Sequence, residues 1–212
     1  MIHVFARVPV AGRTKTRLIP KLGAERAAQL SAAMAEDTLA VVRSTGIAWR
    51  IEYDGPADHP FLAGRPAVPQ VGEDLGERLA NALVGGGLAV GTDCPLLDAS
   101  RLTAAHDAAT QGGAPLALER AIDGGYTWIA VSASAVKRGV FCGIPWSTDQ
   151  TARAQIDRAL ALRLGAMVYD TGAFDVDVPA DLTRLTQRLK RNPAGAPHTR
   201  ALLASWLKPS ER

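Results

Sequence analysis

The sequence predicts an α/β protein, a three-layer α/β/α sandwich with a mostly parallel sheet and one short antiparallel element. Short apolar runs alternate with amphipathic stretches of helical spacing, which is the order of a parallel sheet covered by helices on both faces. The exception is at residues 115–121 and 126–131, where two apolar runs meet at Asp123-Gly-Gly125 without room for a helix, a pattern typical of a hairpin. A length of 212 residues suits one domain, residues 1–212, with its own core.

Each predicted element follows from its own residue pattern. An apolar run predicts the first strand at residues 2–8, and an alanine-rich stretch with larger apolar residues three to five apart predicts a helix at 24–43. The same patterns continue the alternation with a strand at 47–53, a Pro/Gly/Asp loop through residue 66, a helix at 75–84, a strand ending just before Asp93, and a helix at 99–110. After the hairpin they predict a helix at 149–164, a short strand at 167–169, and helices at 180–191 and 198–207.

The composition limits the class of protein and its partners. Charged residues make up 21% of the chain, which excludes a disordered protein, and no apolar run approaches the ~20 residues that span a bilayer. The chain begins with a strand rather than a basic leader, and a reducing cytoplasm would keep Cys94 and Cys142 as thiols, so we expect a cytoplasmic protein without a membrane span. The net charge of +3 is scattered except at residues 190–191 and in the loop after the first strand, so nucleic acid is not an expected partner. The alanine-rich helices could pack internally or against a second copy, which leaves a homo-oligomer open.

Asp93 stands where a short apolar run ends abruptly, in Gly91-Thr-Asp-Cys-Pro95. If that run is a buried strand, Asp93 emerges at its carboxyl end, where open α/β sheets place their ligands, and Pro95 stops the strand. A carboxylate there is well placed to hold a divalent cation. The alternative is that Asp93 caps the helix that begins near Asp98.

A basic loop follows the first strand, in Ala11-Gly-Arg-Thr-Lys-Thr-Arg-Leu18. Gly12 gives the backbone freedom to offer amide donors, and Arg13, Lys15 and Arg17 supply positive charge, which together suit a polyanion such as a phosphate chain. The spacing is not that of a P-loop. Three cations within five residues repel one another unless an anion lies between them.

Two further segments combine acids with helix starts. In Gln70–Ala80, Asp74 is placed to cap a helix beginning at Leu75, which leaves Gln70 and Arg78 without a structural role. In Asp175-Val-Asp-Val-Pro-Ala-Asp181, the alternation of an extended segment puts Asp175 and Asp177 on one face, and two such acids repel unless a cation lies between them.

These blocks occur together in one known family. The resemblance is carried by Phe5-Ala-Arg-x-Pro-x-x-Gly-x-x-Lys-Thr-Arg-Leu18, Gly72-Glu-Asp-Leu-Gly-Glu-Arg-Leu79, Gly91-Thr-Asp-Cys-Pro95, Asp123-Gly-Gly-Tyr126, Pro145-Trp146 and Asp175-Val-Asp-x-Pro-x-Asp-Leu182. The chain resembles, over residues 2–190, the bacterial family described as radical-SAM/selenodomain-associated or arsenosugar-biosynthesis-type transferases, a family of unknown function with the nucleotide-diphospho-sugar transferase, or GT-A, fold.

The resemblance implies a nucleotide site and a metal site. It implies that the basic loop wraps the nucleotide through Gly12, Arg13, Lys15, Thr16 and Arg17. Residues from the Gln70–Ala80 block complete the nucleotide contacts: Gln70, Asp74 and Arg78. It also implies that Asp93 binds Mg²⁺ or Mn²⁺, with Asp175 and Asp177 supplying further ligands from the last strand.

The hairpin lies on the side of the acceptor, a small molecule, in this interpretation. Asp123 is then a candidate base or acceptor-orienting group, and Gly124, Gly125, Tyr126 and Trp146 line the acceptor side. The family usually carries Gly-Pro-Ala-Glu or a similar run before the hairpin turn, whereas this chain has Glu119-Arg-Ala-Ile122. The Asp-x-Asp of many GT-A glycosyltransferases is also absent, since Gly91 stands two residues before Asp93.

Three functions fit these residues. A glycosyltransferase would move a sugar from a nucleotide-diphospho-sugar to an acceptor hydroxyl, with Asp93, Lys15 and Arg17 acting on the departing diphosphate. A nucleotidyltransferase would join a nucleoside triphosphate to a phosphorylated acceptor and release pyrophosphate at the same place. A protein with the fold but little turnover would only bind a nucleotide. The first is the preferred prediction.

Overall fold

Seven strands form one sheet in the computed structural model, which describes residues 1–207; residues 208–212, the end of the predicted domain, lie outside this range. The strands are β1 (Ile2–Arg7), β2 (Trp49–Asp54), β3 (Ala67–Pro69), β4 (Gly87–Gly91), β5 (Leu116–Ala121), β6 (Tyr126–Val131) and β7 (Ala166–Ala173). The helices are α1 (Ile19–Leu22), α2 (Ala24–Ser44), α3 (Leu75–Ala82), α4 (Ala99–Thr110), α5 (Ala133–Lys137), α6 (Thr151–Ala161), α7 (Pro179–Arg191) and α8 (Pro197–Leu207).

The sheet is parallel except at β6. Its strand order is β3-β2-β1-β4-β6-β5-β7, and β6 runs antiparallel to both β4 and β5 because the turn at Asp123–Gly125 joins β5 to β6 directly. The carboxyl ends of β1, β4, β5 and β7 therefore meet at one edge of the sheet, beside the start of β6. The predicted α/β fold class, with its single antiparallel element, is confirmed.

Apolar side chains fill both faces of the sheet. On one face, Val4, Leu39 and Leu102 belong to a core shared by β1, α2 and α4. On the other face, Leu79 and Ile129 belong to a core shared by α3, β6 and neighbouring helices. A third cluster joins α1, α2, α7 and α8 and holds the loop after β1 against the last helices.

The structure contains short elements that the sequence pattern does not predict. Strand β3 has three residues, α1 four and α5 five, each too short to establish a period of two or 3.6. Strand β7 is longer than its prediction because it runs on through the polar residues Asp170 and Thr171 to Ala173. Among residues 1–207, no helix is both long and apolar enough to cross a membrane.

Candidate active site

Asp93 lies just beyond the carboxyl end of β4, at the centre of the sheet. Its carboxylate does not cap α4, because that role belongs to Asp98, whose Oδ1 accepts hydrogen bonds from Ser100 N at 2.9 Å and Arg101 N at 3.2 Å. The Asp93 side chain is 45% exposed. The interpretation of Asp93 as the cap of α4 is therefore wrong, and its role as a ligand of a divalent cation stays a prediction.

Lys15 turns inward from the basic loop after β1. Its backbone adopts the left-handed conformation, with φ 48° and ψ 42°, which costs a side-chain-bearing residue about 1–2 kcal/mol. Two anchors hold this geometry: the buried Thr14 hydroxyl donates to Ser31 Oγ at 3.1 Å, and Leu18 N donates to the Lys15 carbonyl at 2.8 Å. The conformation aims the Lys15 side chain at the edge of the sheet, where it is 4% exposed.

The Lys15 ammonium lies between two acids. Its Nζ is 2.8 Å from Asp93 Oδ1 and 2.7 Å from Asp177 Oδ1. Burial alone would lower the pKa of Lys15, but the two carboxylates outweigh it and raise the pKa above its usual value. Lys15 is therefore charged over the whole physiological range, and it neutralises acids from two distant parts of the chain.

Asp175 and Asp177 both come from the connection between β7 and α7. Val176 N donates to the Asp93 carbonyl at 3.0 Å, which ties this connection to the end of β4. Asp181 Oδ2 accepts hydrogen bonds from Asp177 N at 3.1 Å and from Val178 N at 2.9 Å, and this fixes the start of α7. The sequence predicts that Asp175 and Asp177 lie on the last strand. Both instead follow that strand, because β7 ends at Ala173.

Asp175 is the most perturbed acid of the group. Burial raises the pKa of its carboxyl to about 7, and the nearby Asp93 and Asp123 carboxylates add to this shift, while Lys15 opposes it. We use the name acid cluster for Asp93, Asp175 and Asp177. Three carboxylates facing one buried ammonium leave this cluster with residual negative charge.

We expect the pKa of Asp175 to make stability depend on pH. Between the unfolded pKa of 3.8 and the folded pKa of about 7, the folded state holds a proton that the unfolded state lacks. Stability is thus favoured below this window and falls as pH rises through it, by up to ~1.4 kcal/mol per pH unit from this group. Urea unfolding at several pH values between 4 and 8 should show a flatter profile for Asp175→Asn than for the natural protein; parallel profiles would contradict the assignment.

The predicted nucleotide-binding residues divide into exposed and structurally engaged groups. Gly12, Arg13, Thr16 and Arg17 are exposed around the inward-turned Lys15. The sequence gives the three cations of this loop equal roles, whereas the structure separates them. Lys15 is buried and pairs with Asp93 and Asp177, while Arg13 and Arg17 lie on the surface, and this separation relieves the repulsion between the three charges.

The remaining nucleotide-side residues surround the start of α3. Asp74 Oδ1 accepts a hydrogen bond from Glu77 N at 2.8 Å and so caps this helix. Gln70 Nε2 donates to the Glu52 carbonyl at 3.0 Å, and Arg78 Nη1 donates to Gln70 Oε1 at 3.2 Å. Gln70 and Arg78 thus form one hydrogen-bonded polar unit that is anchored to the backbone of β2 at Glu52. The carboxylate of Asp74, by contrast, is engaged as the N-cap of α3.

The hairpin turn brings Asp123 close enough to influence Asp175. Asp123 Oδ1 accepts a hydrogen bond from Gly125 N at 3.0 Å, and its carboxylate is exposed. Gly124 packs directly on the segment before α6, since a Cβ there would lie 1.9 Å from the Asp149 carbonyl oxygen, and its own carbonyl accepts from Ala152 N at 2.8 Å. The turn is therefore fixed by backbone packing as well as by its sequence.

Tyr126 and Trp146 lie on the α3 side of this turn. The Tyr126 hydroxyl is buried and has no hydrogen-bond partner among the described residues, and burial raises its pKa. Trp146 packs on Gly76 in the first turn of α3, where a Cβ would lie 2.7 Å from its Nε1. A buried hydroxyl without a partner marks a place where a ligand could supply one.

Two pockets flank the loop at Asp93–Pro95. One, of about 130 Å³, is mostly apolar; it is lined by Phe5, Leu75, Leu79, Tyr126 and Trp128 and bounded by Asp93 and Asp175. The other, of about 120 Å³, is more polar and contains Arg101, Glu119, Thr171 and Arg188. The two pockets offer different chemistry on either side of the acid cluster.

The polar pocket contains residues that the sequence analysis missed. Glu119, 4% exposed at its side chain, accepts hydrogen bonds from Arg101 Nη1 at 2.7 Å, Thr127 Oγ1 at 2.8 Å and Thr171 Oγ1 at 2.9 Å. The only signal in the sequence was that Glu119 begins the run that departs from the family pattern. Arg101 and Arg188 lie on amphipathic helices, where a basic residue usually means only a solvated face.

The acid cluster combines the oxygen donors of a metal site with a lysine ion pair. Within residues 1–207, no group of three or more His, Cys, Asp or Glu side chains is already arranged to hold a metal ion. The Lys15 ammonium stands between Asp93 and Asp177 where a cation would be expected, and oxygen ligands of this kind suit Mg²⁺ or Mn²⁺. The donor chemistry fits a divalent cation, although the present geometry is that of a lysine ion pair.

The sequence model of a family of uncharacterised proteins conserved in bacteria, DUF2064, matches residues 27–148, more than half of the chain. The chain belongs to this family. The matched DUF2064 region includes Asp93 and the hairpin but neither Lys15 nor the acids after β7. No functionally curated protein has a detectable match to the sequence.

Several solved structures with the same fold are described as transferases or synthetases that use nucleotides. A candidate nucleotide-diphospho-sugar transferase from Desulfovibrio desulfuricans G20 is 26% identical to this DUF2064 chain, with a TM-score of 0.84 over 96% of this chain and 93% of the other. A CMP:2-keto-3-deoxy-manno-octonic acid synthetase complexed with CTP is 14% identical, with a TM-score of 0.57 over 90% and 98%. A cytidylyltransferase from Leptospira borgpetersenii is also 14% identical, with a TM-score of 0.56 over 91% and 94%. The last two likenesses establish the fold, which all three transferases share with this chain.

Proposed function

We propose that this protein is a metal-dependent nucleotide-using transferase that moves a sugar from a nucleotide-diphospho-sugar to a hydroxyl of a small-molecule acceptor. The observation that carries the proposal is the meeting of Lys15, Asp93 and Asp177 at the carboxyl edge of the sheet, where the Lys15 Nζ lies within 2.8 Å of one carboxylate oxygen of each acid. Ligands of open α/β sheets bind at this edge. The likeness to a candidate nucleotide-diphospho-sugar transferase supports the same class of substrate.

The basic loop is suited to the diphosphate of the donor. Arg13 and Arg17 are exposed, so their guanidinium groups can approach phosphate oxygens. Gly12 has φ 80°, and the turn it forms is closed by hydrogen bonds from Arg13 N and Thr14 N to the Val10 carbonyl. The Gln70–Arg78 unit would contact the nucleoside. Charge neutralisation of the departing diphosphate is the main catalytic demand of the reaction, and the exposed guanidinium groups of Arg13 and Arg17 would supply it.

Asp93, Asp175 and Asp177 would hold Mg²⁺ or Mn²⁺. When bound, the metal would stabilise the charge that develops on the leaving diphosphate. Asp175 would have to lose its proton first, because its pKa of about 7 leaves it partly protonated at neutral pH. The side chains of Asp93 and Asp177 are 45% and 48% exposed, which gives the acids room to change partners.

The apolar pocket supports an acceptor that presents a hydroxyl. Tyr126, whose buried hydroxyl has no hydrogen-bond partner within residues 1–207, lines this pocket together with Trp128, and none of its described lining residues is basic. A phosphorylated acceptor would require cations, whereas a hydroxyl-bearing one requires a hydrogen-bond partner and apolar contact. Asp123 at the turn is the residue placed to orient the acceptor or take its proton. The narrower resemblance to arsenosugar-biosynthesis-type transferases agrees with this chemistry.

A second function is favoured by the polar pocket. Arg101 and Arg188 face the same cavity on the other side of Cys94, and guanidinium groups bind phosphate well. In a nucleotidyltransferase, the phosphate of the acceptor would attack the α-phosphorus of a nucleoside triphosphate, forming a P–O bond as the bond to pyrophosphate breaks. Catalytically weak nucleotide binding is the third possibility, to be separated from the other two by experiment.

The three functions predict different ligand responses. We expect a nucleotide-diphospho-sugar with Mn²⁺ to raise the Tm by about 5–10 °C at 100 times its Kd, since binding then adds ~2.7 kcal/mol. A larger shift with a nucleoside triphosphate and Mg²⁺ would favour nucleotidyl transfer, and shifts that do not depend on metal would contradict both transfer reactions. Thermal denaturation of the natural protein across a panel of both donor classes, with and without EDTA, makes the measurement.

Two matched variants connect these responses to the pockets. Tyr126→Phe should weaken acceptor-dependent release of nucleoside diphosphate if the acceptor occupies the apolar pocket. Arg188→Leu should reduce pyrophosphate release if a phosphorylated acceptor occupies the polar one. Loss in the first variant alone supports sugar transfer, and loss in the second alone overturns it in favour of nucleotidyl transfer.

A further inference from the structure

The Lys15 ammonium contacts one oxygen of each of two carboxylates, Asp93 and Asp177, that would also hold a divalent cation. Nζ lies 2.8 Å from Oδ1 of Asp93 and 2.7 Å from Oδ1 of Asp177. A metal ion bound by these oxygens would lie at ~2.0–2.6 Å from each, in the space that the ammonium fills. Two positive ions cannot share that space, so occupation by one excludes the other.

The surroundings of Lys15 keep this resting position well defined. The side chain is 4% exposed, whereas the acids are 45% and 48% exposed, so the ammonium lies on the protein side of the pair and the acids face outward. The left-handed backbone at Lys15 is held from both sides by Thr14 and by the Leu18 amide. The backbone of Lys15 is therefore fixed, and a change in the position of its ammonium would come from rotation about the bonds of its four-carbon side chain.

We infer that Lys15 is the resident counter-ion of the acid cluster and that it makes metal binding depend on the nucleotide. Phosphate groups in the basic loop draw the ammonium away from Asp93 and Asp177, and the freed oxygens then take the divalent cation. This inference rests on the proposed function for the identity of the anion. The exchange at the acids rests on the geometry alone.

The exchange has a thermodynamic consequence. Without a nucleotide, a metal must displace a buried ammonium from its ion pairs with Asp93 and Asp177, so metal binding is weak. With a diphosphate present, the ammonium gains a new anionic partner, and metal binding becomes stronger. The coupling is reciprocal, so the metal must also strengthen nucleotide binding by the same factor.

Removal of the ammonium should open the site to metal. In Mn²⁺ titrations followed by electron paramagnetic resonance, without nucleotide, we expect Lys15→Met to bind Mn²⁺ about 5–150-fold more tightly than the natural protein, the range of typical coupling. Lys21→Met is the matched control, because it removes the same charge from an exposed position in α1 that the acid cluster does not contact. The control should bind Mn²⁺ as the natural protein does. Equal or weaker Mn²⁺ binding by Lys15→Met would overturn the inference.

Stability provides a second measurement that does not depend on substrate. The Lys15→Met variant leaves three carboxylates without their cation, so it should melt at a lower temperature in EDTA and regain stability in Mn²⁺. If it fails to fold in EDTA, its circular dichroism spectrum should recover on addition of Mn²⁺, and a spectrum that does not recover counts against the exchange.

The nucleotide arm separates this inference from the proposed function. ADP, CDP, GDP and UDP are each added to the natural protein, and at least one should increase Mn²⁺ affinity more than it does in Lys15→Met. If none has any effect, the proposed function fails while tighter Mn²⁺ binding by Lys15→Met still stands. If a nucleotide acts equally on both proteins, the dependence on Lys15 fails while the proposed function stands.

Discussion

Asp93→Asn should reduce metal-dependent turnover by at least ~100-fold while leaving the fold intact. Substitution of residues that merely support metal ligands costs 10–100-fold, and the loss of a direct ligand should cost at least as much. The amide keeps the shape of the side chain and can still accept a hydrogen bond from Lys15, which retains its ion pair with Asp177 at 2.7 Å. The effect should therefore fall on chemistry rather than on stability.

The measurement is release of nucleoside diphosphate from the donor that most stabilises the natural protein, with Mn²⁺ present. Asp157→Asn is the control, because it removes the same charge from an exposed i,i+4 pair with Arg153 on α6. Its turnover should stay within about twofold of the natural rate. A fully active Asp93→Asn protein with an unchanged response to Mn²⁺ would remove Asp93 from the site.

The position of Asp93 was predictable because its signal is local. An apolar run that ends in an acid and a proline marks the carboxyl end of a buried strand, and β4 ends at Gly91 as that pattern requires. The hairpin was predictable for the same reason, since Asp123-Gly-Gly125 specifies a turn between two strands. Helix α4 also begins where its cap indicates, at Ala99 directly after the N-cap residue Asp98.

The orientation of Lys15 could not be predicted from such signals. By alternation and composition, Arg13, Lys15 and Arg17 are equivalent. The three side chains differ in the structure because the left-handed backbone conformation of Lys15 turns its side chain toward acids that lie 78 and 162 residues away in sequence. Long-range pairing of this kind depends on the packing of β4, β7 and the loop after β1 together. The repulsion between the three cations was a valid argument, but the anion that relieves it belongs to the protein.

The Glu119 network was hidden for a related reason. Its partners come from α4, β6 and β7, so no window of sequence contains them. Glu119 also lies within an apolar strand, where the periodicity alone suggests a small break in the pattern rather than a buried acid. Only the register of β5 with its two neighbours brings Thr127 and Thr171 to the same carboxylate.

Glu119→Leu should destabilise the protein by about 2–4 kcal/mol, because it leaves the buried Thr127 hydroxyl without its acceptor and leaves the Arg101 guanidinium with only its longer contact, at 3.4 Å, to Asp98. Arg101 is 37% exposed and can regain water, which keeps the cost below that of a fully buried pair. For a chain of this size, the loss corresponds to a decrease in Tm of about 4–16 °C. The neighbouring Arg120→Gln should change the free energy of unfolding by less than ~0.5 kcal/mol, since its pair with Asp170 is exposed.

A double-mutant cycle separates the network from simple burial. If Glu119→Leu lowers the free energy of unfolding because Arg101 has lost its ion pair with Glu119, then adding Arg101→Met to Glu119→Leu should restore part of that free energy. In the double variant an apolar pair replaces a broken ionic one. Urea unfolding of the natural protein, both single variants and the double variant gives the coupling free energy. Strictly additive losses would mean that Arg101 and Glu119 contribute independently and that the 2.7 Å contact does not stabilise this end of the sheet. A coupling free energy above ~0.5 kcal/mol would show that the Arg101–Glu119 ion pair stabilises the packing of β5 beneath the polar pocket.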